Sequence, residues 1–475
     1  MKTILAKLTR RLIRTQLQKM SAEKLRRLSE KRLLRAFRRA ARQSKAYQIL
    51  LSENKVNAES ISTVQDLLRL CPILEKSNTF RRFALRELIA DDVQIDQLGS
   101  VLTSSGQSGT GYAVGLSTRN QMKSTPTMID LGLELAFDID TYRTLLINCL
   151  PMGVTFQSNA VCVANVSVRE DMACAIVEQI GKLFDQIILC GDPLFLKKFC
   201  DYSQVKQINW ANYRVNVIVG EETFTESFRD YLAAVLHISA DAIEGGFIGS
   251  SMGIGECGLN LFNETRETIA LRRACNRDPK LLGQLFGEGS RYHALPTFMV
   301  FNPLRVFAEV DSVSKYGEGD LLVSVLDETT PIPLLRYKTG DRATLIKEAS
   351  LDLIWRQSGI KLPPPRLPLI ALHGRAKDTL PNFGHVDEYK HALYQQAQVA
   401  EQLSGAFRLT LQSDRILWEI QLRQGAKNQL ISLASQLQEH ASEFSNKTHI
   451  VCYEYENFPY GKTLDYERKF NYLLS

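Results

Sequence analysis

Between Asn120 and about residue 245 the chain alternates short apolar runs with amphipathic stretches. The runs TLLINCL (144–150), AVCVANV (160–166), QIILCG (186–191) and VNVIVG (215–220) have strand character. Between the second and third, REDMACAIVEQIGKLF spaces its apolar residues for a helix. Strands alternating with helices predict an α/β fold with largely parallel sheets. Strand character rises again over 317–346, in DLLVSVL and PLLRYKTGDRATLI. The proline-rich KLPPPRLPLIAL (361–372) predicts a domain boundary. Beyond it, FRLTLQ, RILWEIQL and THIVCYEY with intervening helical stretches predict a small α+β domain over 373–475. A large N-terminal domain is expected over 46–372. No internal repeat is visible.

The first 45 residues also carry helical periodicity. Ile4, Leu5, Leu8, Leu12 and Ile13 recur at helical spacing, as do Leu25, Leu28, Leu33, Leu34 and Phe37. Sixteen Lys/Arg against Glu23 and Glu30 give this segment a charge of +14, so the rest of the chain sums to −8. The overall +6 is therefore a local feature and does not point to a nucleic-acid partner. The preferred reading is a basic helical arm, 1–45, whose apolar stripe packs on the core while its charges face water. Peripheral contact with an anionic membrane surface and an organelle transit segment are the competing readings.

The chain has 475 residues, 44% of them hydrophobic, ample for two or more packed domains. No run reaches the length of a membrane span, and no apolar signal-peptide core opens the chain. Nine cysteines are scattered without C-x-x-C pairs, which reads as free thiols in a reducing cytoplasm. Seven unclustered histidines give little support to a His-based metal centre.

Two stretches carry chemistry. LTSSGQSGTGYAVGL (102–116) packs hydroxyls and glycines without charge. Such a loop turns tightly, aims N–H groups into a concavity and suits a polyphosphate, although a solvated surface loop has the same composition. It lacks the lysine of a Walker loop, since Tyr112 follows Gly111. PLLRYKTGD (333–341) reads as a strand ending at a Thr-Gly turn that presents Asp341. A carboxylate there can accept two hydroxyl hydrogen bonds, as a ribose diol offers, or simply close a hairpin.

The second stretch resembles the R-Y-R-T-G-D signature of adenylate-forming enzymes, the acyl-CoA synthetase and adenylation-domain superfamily, and most of all its phenylacetate–CoA ligase-like branch. The resemblance runs from about residue 34 to the C-terminus. LLRAFRRAARQSKAYQILL and STVQDLLRLCPILEKSNTF resemble that branch's N-terminal helices and its "DL…LP…K" segment. SSGQSGTG resembles the family's phosphate loop, at Ser104, Ser105, Gly106, Ser108, Gly109 and Thr110. VIVGEETFTESFRDYL resembles the segment beside the adenine pocket, at Gly220 and Glu221. MGIGECG resembles Y-G-x-T-E-x-G, which puts Met252 and Gly253 beside adenine and Glu256 on the Mg²⁺-binding carboxylate. HGRAKDTLPNFG places Arg375 at the family's arginine and Lys377 at its hinge. PYGKTLDYERKF places Lys462 at the catalytic lysine.

The resemblance implies a large N-terminal domain of mixed β-sheets layered with helices, a small mobile α+β C-terminal domain, and a site between them. It implies ATP and Mg²⁺ as cofactors, a small-molecule carboxylic acid as substrate, and a thiol acceptor on CoA or a phosphopantetheine carrier protein. Homodimerisation is typical of the branch. CLPMGVTF (149–156) and Phe247–Met252 are expected to wall the acyl pocket.

Several positions depart from the pattern. Thr110 stands where lysine is usual, Gly111 for proline, Met252 for tyrosine and Gly255 for threonine. A shifted alignment over Ile248–Met252 restores the glycine and a serine but loses the glutamate. Gly249–Gly253 also fits G-x-S-x-G, so a serine hydrolase or acyltransferase using Ser251, with Asp341 and His373 downstream, is the alternative. A degenerate, non-adenylating binding paralogue is the third reading. Each motif residue alone also reads as a surface charge; their order along one chain favours the adenylating function.

Overall fold

The computed structural model describes residues 2–103, 113–151, 153–239, 245–287, 294–380, 382–426, 430–441, 447–460, 466–467 and 469–474. The phosphate-loop positions Ser104, Ser105, Gly106, Ser108, Gly109 and Thr110, and Lys462, lie outside these residues.

A hairpin of β1 (Leu98–Thr103) and β2 (Val114–Thr118) brackets the Gly/Ser loop. The four apolar runs then form β3 (Thr144–Asn148), β4 (Cys162–Asn165), β5 (Gln186–Gly191) and β6 (Val215–Val219). All are parallel, and β6 adds β7 (Ile248–Ile254) in the same sense. Helices Glu170–Ile180, Pro193–Val205 and Glu226–Val235 lie in the connections. Every residue of β3 and β5 is buried, as expected of strands covered on both faces.

At β7 the sheet changes character. It pairs antiparallel with β8 (Gly258–Asn263), and the sheet continues through β9 (Thr297–Phe301), β10 (Val306–Asp311), β11 (Gly319–Val325), β12 (Tyr337–Leu345) and β13 (Leu369–Arg375). The eleven strands lie in the order β10-β11-β12-β13-β9-β8-β7-β6-β5-β3-β4. The proline-rich run therefore leads into β13, a central strand held between β12 and β9, and not out of the domain. The preceding helix Glu348–Gln357 ends at Ser358 and the left-handed Gly359 (φ +70°), before the prolines, which interrupt neither helix nor sheet. The chain leaves the sheet after Arg375, through the short turn Ala376–Asp378.

Beyond that turn come β14 (Thr379–Leu380) and β15 (Gly384–His385), then a four-stranded sheet. Its strands β16 (Leu403–Gln412), β17 (Arg415–Leu422), β18 (Thr448–Tyr453) and β19 (Leu473–Leu474) lie in the order β18-β17-β16-β19. Trp418, Phe407 and Tyr389 form the centre of its separate core. Leu194, from the helix Pro193–Val205, joins that core, and Tyr394 packs on Phe228 and Tyr231, so the two lobes share an apolar contact.

The N-terminal arm divides into two helices that obey different rules. α2 (Ala22–Gln43) behaves as its pattern requires: Leu25, Leu33, Ala36, Phe37 and Ala40 are buried in the large domain. It is thus part of that domain's core. α1 (Lys2–Lys19) is turned the other way. Arg10 is only 3% exposed, whereas Leu8 and Leu12 are 50% and 64% exposed. The expectation that leucines face the core and charges face water fails here for an electrostatic reason. The helix Arg119–Phe137 and its following turn present Asp130, Glu134, Asp138 and Asp140. Arg10 pairs with Asp140 and lies 3.8 Å from Asp130. Arg14 reaches Glu134 at 3.1 Å and Asp138 at 3.2 Å, and Lys7 donates to the Asp140 carbonyl at 2.9 Å. Cations matched to a buried acidic cradle outweigh two leucines left in water.

Candidate functional site

The parallel strands deliver their carboxyl ends side by side, with Gly191 beside Val219 and Val219 beside Ser250. In open parallel sheets ligands bind outside such ends where the strand order reverses, here between β3 and β5. Gly220 follows β6 and donates its N–H to the Gly191 carbonyl at 3.0 Å. A β-carbon on Gly220 would meet Leu150 at 3.2 Å, so the predicted acyl-pocket segment is packed against the predicted adenine segment. Phe247, at the entrance to β7, stacks on Phe137 at 4.9 Å.

Glu256 occupies the turn between β7 and β8. The hairpin β1–β2 presses on this turn by backbone contact: a β-carbon on Gly115 would lie 2.2 Å from the Gly255 carbonyl oxygen. The ends of the Gly/Ser loop are thereby held beside the predicted metal carboxylate. The Glu256 carboxylate is buried. Its Oε1 accepts a 2.6 Å hydrogen bond from the Tyr337 hydroxyl and lies 3.5 Å from Lys76 Nζ. Burial first, and then the Glu256 charge, push the Tyr337 hydroxyl pKa up, so it stays protonated and donating. Both contacts fall on Oε1. Among the described residues no three His, Cys, Asp or Glu side chains cluster as a metal site. A single carboxylate nevertheless fits Mg²⁺, which is commonly held by one or two carboxylates together with substrate phosphates and water.

Asp341 does not end a strand, as its Thr-Gly turn suggested. β12 continues to Leu345, and Thr339, Gly340 and Asp341 form a bulge between the pairs Leu322–Lys338 and Asp320–Arg342. Gly340 has φ +88°, which glycine adopts without strain. The bulge displaces Asp341 from the ladder to β11, and its N–H bonds the Thr339 hydroxyl at 3.1 Å. On the other side it is in register with Arg375, whose Nε lies 3.5 Å from Asp341 Oδ1. Lys377 follows in the exit turn, its pKa lowered by burial first and then by the charge of Arg375.

The small domain closes on the segment after Gly220. Glu221 has φ +68°, a costly left-handed conformation for a side chain. Lys469 Nζ donates to its carbonyl at 2.8 Å and pairs with its carboxylate at 3.0 Å. Lys390 pairs with Glu222 at 3.2 Å, Thr223 donates to Asp387, Ser227 donates to the His391 carbonyl, and Ser167 donates to Glu467. Asp192 sits at this seam. Its Oδ1 caps the helix Pro193–Val205 through the Phe195 N–H, while Oδ2 is buried and has no hydrogen-bond partner among the described residues. Burial, with the charges of Glu222 and Glu221 adding, raises its pKa to about 7.

Met252 and Gly253 are strand residues. Met252 pairs with Phe262 and packs on the core of the antiparallel half. A β-carbon on Gly253 would lie 2.9 Å from the Leu259 backbone. Ser251 lies in the same strand and donates to Asn260 Oδ1 at 3.1 Å. A nucleophile elbow needs a strained strand-to-helix turn, which an extended strand interior does not supply. His373 bonds Thr344 at 2.9 Å, and burial lowers its pKa to about 4. The hydrolase arrangement is therefore not built.

Lys76, Asp192, Lys469 and the role of Tyr337 were not assigned from the sequence. Lys76 and Tyr337 lie inside quoted motifs, but only the folded contacts bring them to Glu256.

No protein-family model and no curated protein matches this chain. Among solved structures it is similar to 2-hydroxyisobutyryl-CoA ligase in the postadenylation state in complex with 2-HIB-AMP, at 12% identity and a TM-score of 0.68, over 96% of this chain and 90% of that one. Against the same ligase with 2-HIB-AMP and CoA in the thioesterification state, at the same identity and coverage, the TM-score is 0.55. Against its open conformation with 2-HIB-AMP and CoA, the TM-score is 0.54 at 13% identity, over 96% of this chain and 92% of that one. The chain has the fold of these adenylate-forming enzymes, a large N-terminal and a small C-terminal domain.

Proposed function

We propose that this protein activates a carboxylic acid with ATP. The substrate carboxylate oxygen attacks the α-phosphorus, the bond to pyrophosphate breaks, and an acyl- or aryl-adenylate forms. A thiol of CoA or of a phosphopantetheine carrier then attacks the acyl carbon and AMP leaves. The observation that carries this reading is the placement of four motif residues along one strand: on β12 Tyr337 donates to Glu256, and four residues further Asp341 faces Arg375.

The residues divide the work by charge. The Gly/Ser loop, 104–111, offers neutral N–H and hydroxyl donors to phosphates. Asp341 accepts ribose hydroxyls, and Arg375 keeps that carboxylate oriented. Met252 and the Gly220–Glu221 segment border adenine. Glu256 would hold Mg²⁺, which when bound neutralises phosphate charge as the α-phosphorus becomes five-coordinate. Since Thr110 brings no charge to the loop, Lys76 is the cation beside Glu256 that compensates. Lys462, on the small domain, stabilises the transition state for adenylation. Lys377 is the hinge. The higher TM-score against the postadenylation-state structure supports reading the present lobe arrangement as the one used for adenylation. The phenylacetate–CoA ligase-like motifs support an acid–thiol ligase of that branch, with a homodimer as its assembly.

Carboxylate-dependent ATP–pyrophosphate exchange over a panel of aryl, fatty and amino-acid-derived acids tests the reading. Exchange with at least one acid, lost in Lys462→Ala, is expected. ATP binding without exchange for any acid would overturn it.

A further inference from the structure

Among the described residues nothing covers the outward face of α1. Leu8, Arg11, Leu12, Thr15, Gln16 and Lys19 are all exposed. Their spacing, i, i+3, i+4, i+7, i+8 and i+11, makes one continuous stripe. The opposite stripe, Lys7, Arg10 and Arg14, is fixed in the acidic cradle. The cradle thus sets the rotation of the helix and holds the leucines outward. Before Glu23 the sequence has six Lys/Arg and no acid. Among the described residues neither Arg11 nor Lys19 has an acidic partner.

Two leucines flanked by uncompensated cations complement one kind of surface well: an apolar interior behind anionic headgroups. Residues 23–475 sum to zero, so the whole net charge of +6 lies in the segment of α1, and this face also sets the orientation of approach. Among the described residues no helix is long and apolar enough to cross a membrane. A second copy of the chain fits less well, because a two-fold pairing of this face would bring the same cations together.

We infer that α1 docks the protein on an anionic lipid bilayer, with Leu8 and Leu12 entering the headgroup–acyl boundary and Arg11 and Lys19 against the headgroups. The inference does not depend on the adenylating reading.

The test is co-sedimentation of the full chain with vesicles of phosphatidylcholine containing one-third phosphatidylserine, and with phosphatidylcholine alone. Binding to the anionic vesicles only, weakened by salt, is expected. The variants Leu8→Ser/Leu12→Ser and Arg11→Gln/Lys19→Gln each lower it by about tenfold. All four side chains are exposed, and an unchanged melting curve confirms the fold. Absence of binding to the anionic vesicles overturns the inference, as does binding that the leucine variant retains. Concentration-dependent self-association abolished by the leucine variant, without vesicle binding, assigns the face to a second copy instead.

Discussion

The Tyr337 hydroxyl donates a 2.6 Å hydrogen bond to Glu256 Oε1, joining two motifs 81 residues apart. One partner lies in the strand that carries Asp341, the other in the turn against which the Gly/Ser loop's hairpin is pressed. The bond holds the proposed metal carboxylate at a fixed distance from the proposed ribose carboxylate.

Tyr337→Phe tests that link. Removing the hydroxyl leaves a buried carboxylate short of one donor, at a cost of ~1–3 kcal/mol. The thermal midpoint should fall, and the KM for ATP in pyrophosphate exchange should rise by about tenfold or more. An unchanged KM would show that Glu256 needs no such support.

Lys76→Ala and Glu256→Gln should both slow exchange, but in different ways. Glu256→Gln should raise the Mg²⁺ concentration needed for half-maximal rate. Lys76→Ala should lower the rate at every Mg²⁺ concentration, since it removes a cation without removing the ligand. Titration of Mg²⁺ in both variants separates the roles.

Arg10→Ala removes the cation between two buried carboxylates, Asp140 and Asp130. Breaking one member of a buried ion cluster costs roughly 3–5 kcal/mol. Denaturant unfolding should show a loss of that order, whereas Leu12→Ser, on the exposed side, should stay within about 0.5 kcal/mol of the parent.

Lys469→Met frees Glu221 from its partner in the small domain. The pair is partly exposed and contributes no more than about 1 kcal/mol, so the fold should survive. The population of separated lobes should rise, visible as a larger radius of gyration in solution scattering. No change in scattering would mean that the other contacts of the seam, Lys390–Glu222 and the packing of Tyr394 among them, hold the lobes without it.

Asp192 gives the seam a pH dependence of definite sign. Its carboxyl is raised from an ordinary aspartate value to about 7, so between pH 6 and 8 the folded state binds more protons than the unfolded one. Stability then falls as pH rises through 7, by about 1 kcal/mol over that interval. Asp192→Asn keeps the helix cap and cannot ionise. Its melting temperature should lose that part of the pH dependence, and an unaltered slope would place the titration elsewhere.

Much of this architecture was legible from the residues. Continuous apolar runs such as Gln186–Gly191 became the buried parallel strands, and two of the quoted motifs contain Tyr337 and Glu256, which the fold joins. Periodicity reports which residues share a face of one element. It does not report what that face will meet. For this reason Leu25 and Leu33 of α2 are buried while Leu8 and Leu12 of α1 are exposed: both helices are amphipathic, but only the fold brings the acidic surface of the helix Arg119–Phe137 against Arg10. Likewise the bulge at Gly340, the strand setting of Ser251 and the place of β13 inside the large sheet depend on pairing partners distant in sequence. The linear chain determined the elements and the inventory of chemistry. Tertiary structure alone decided which charges are buried together, because the energy of a buried charge depends on its neighbours and not on its own spacing.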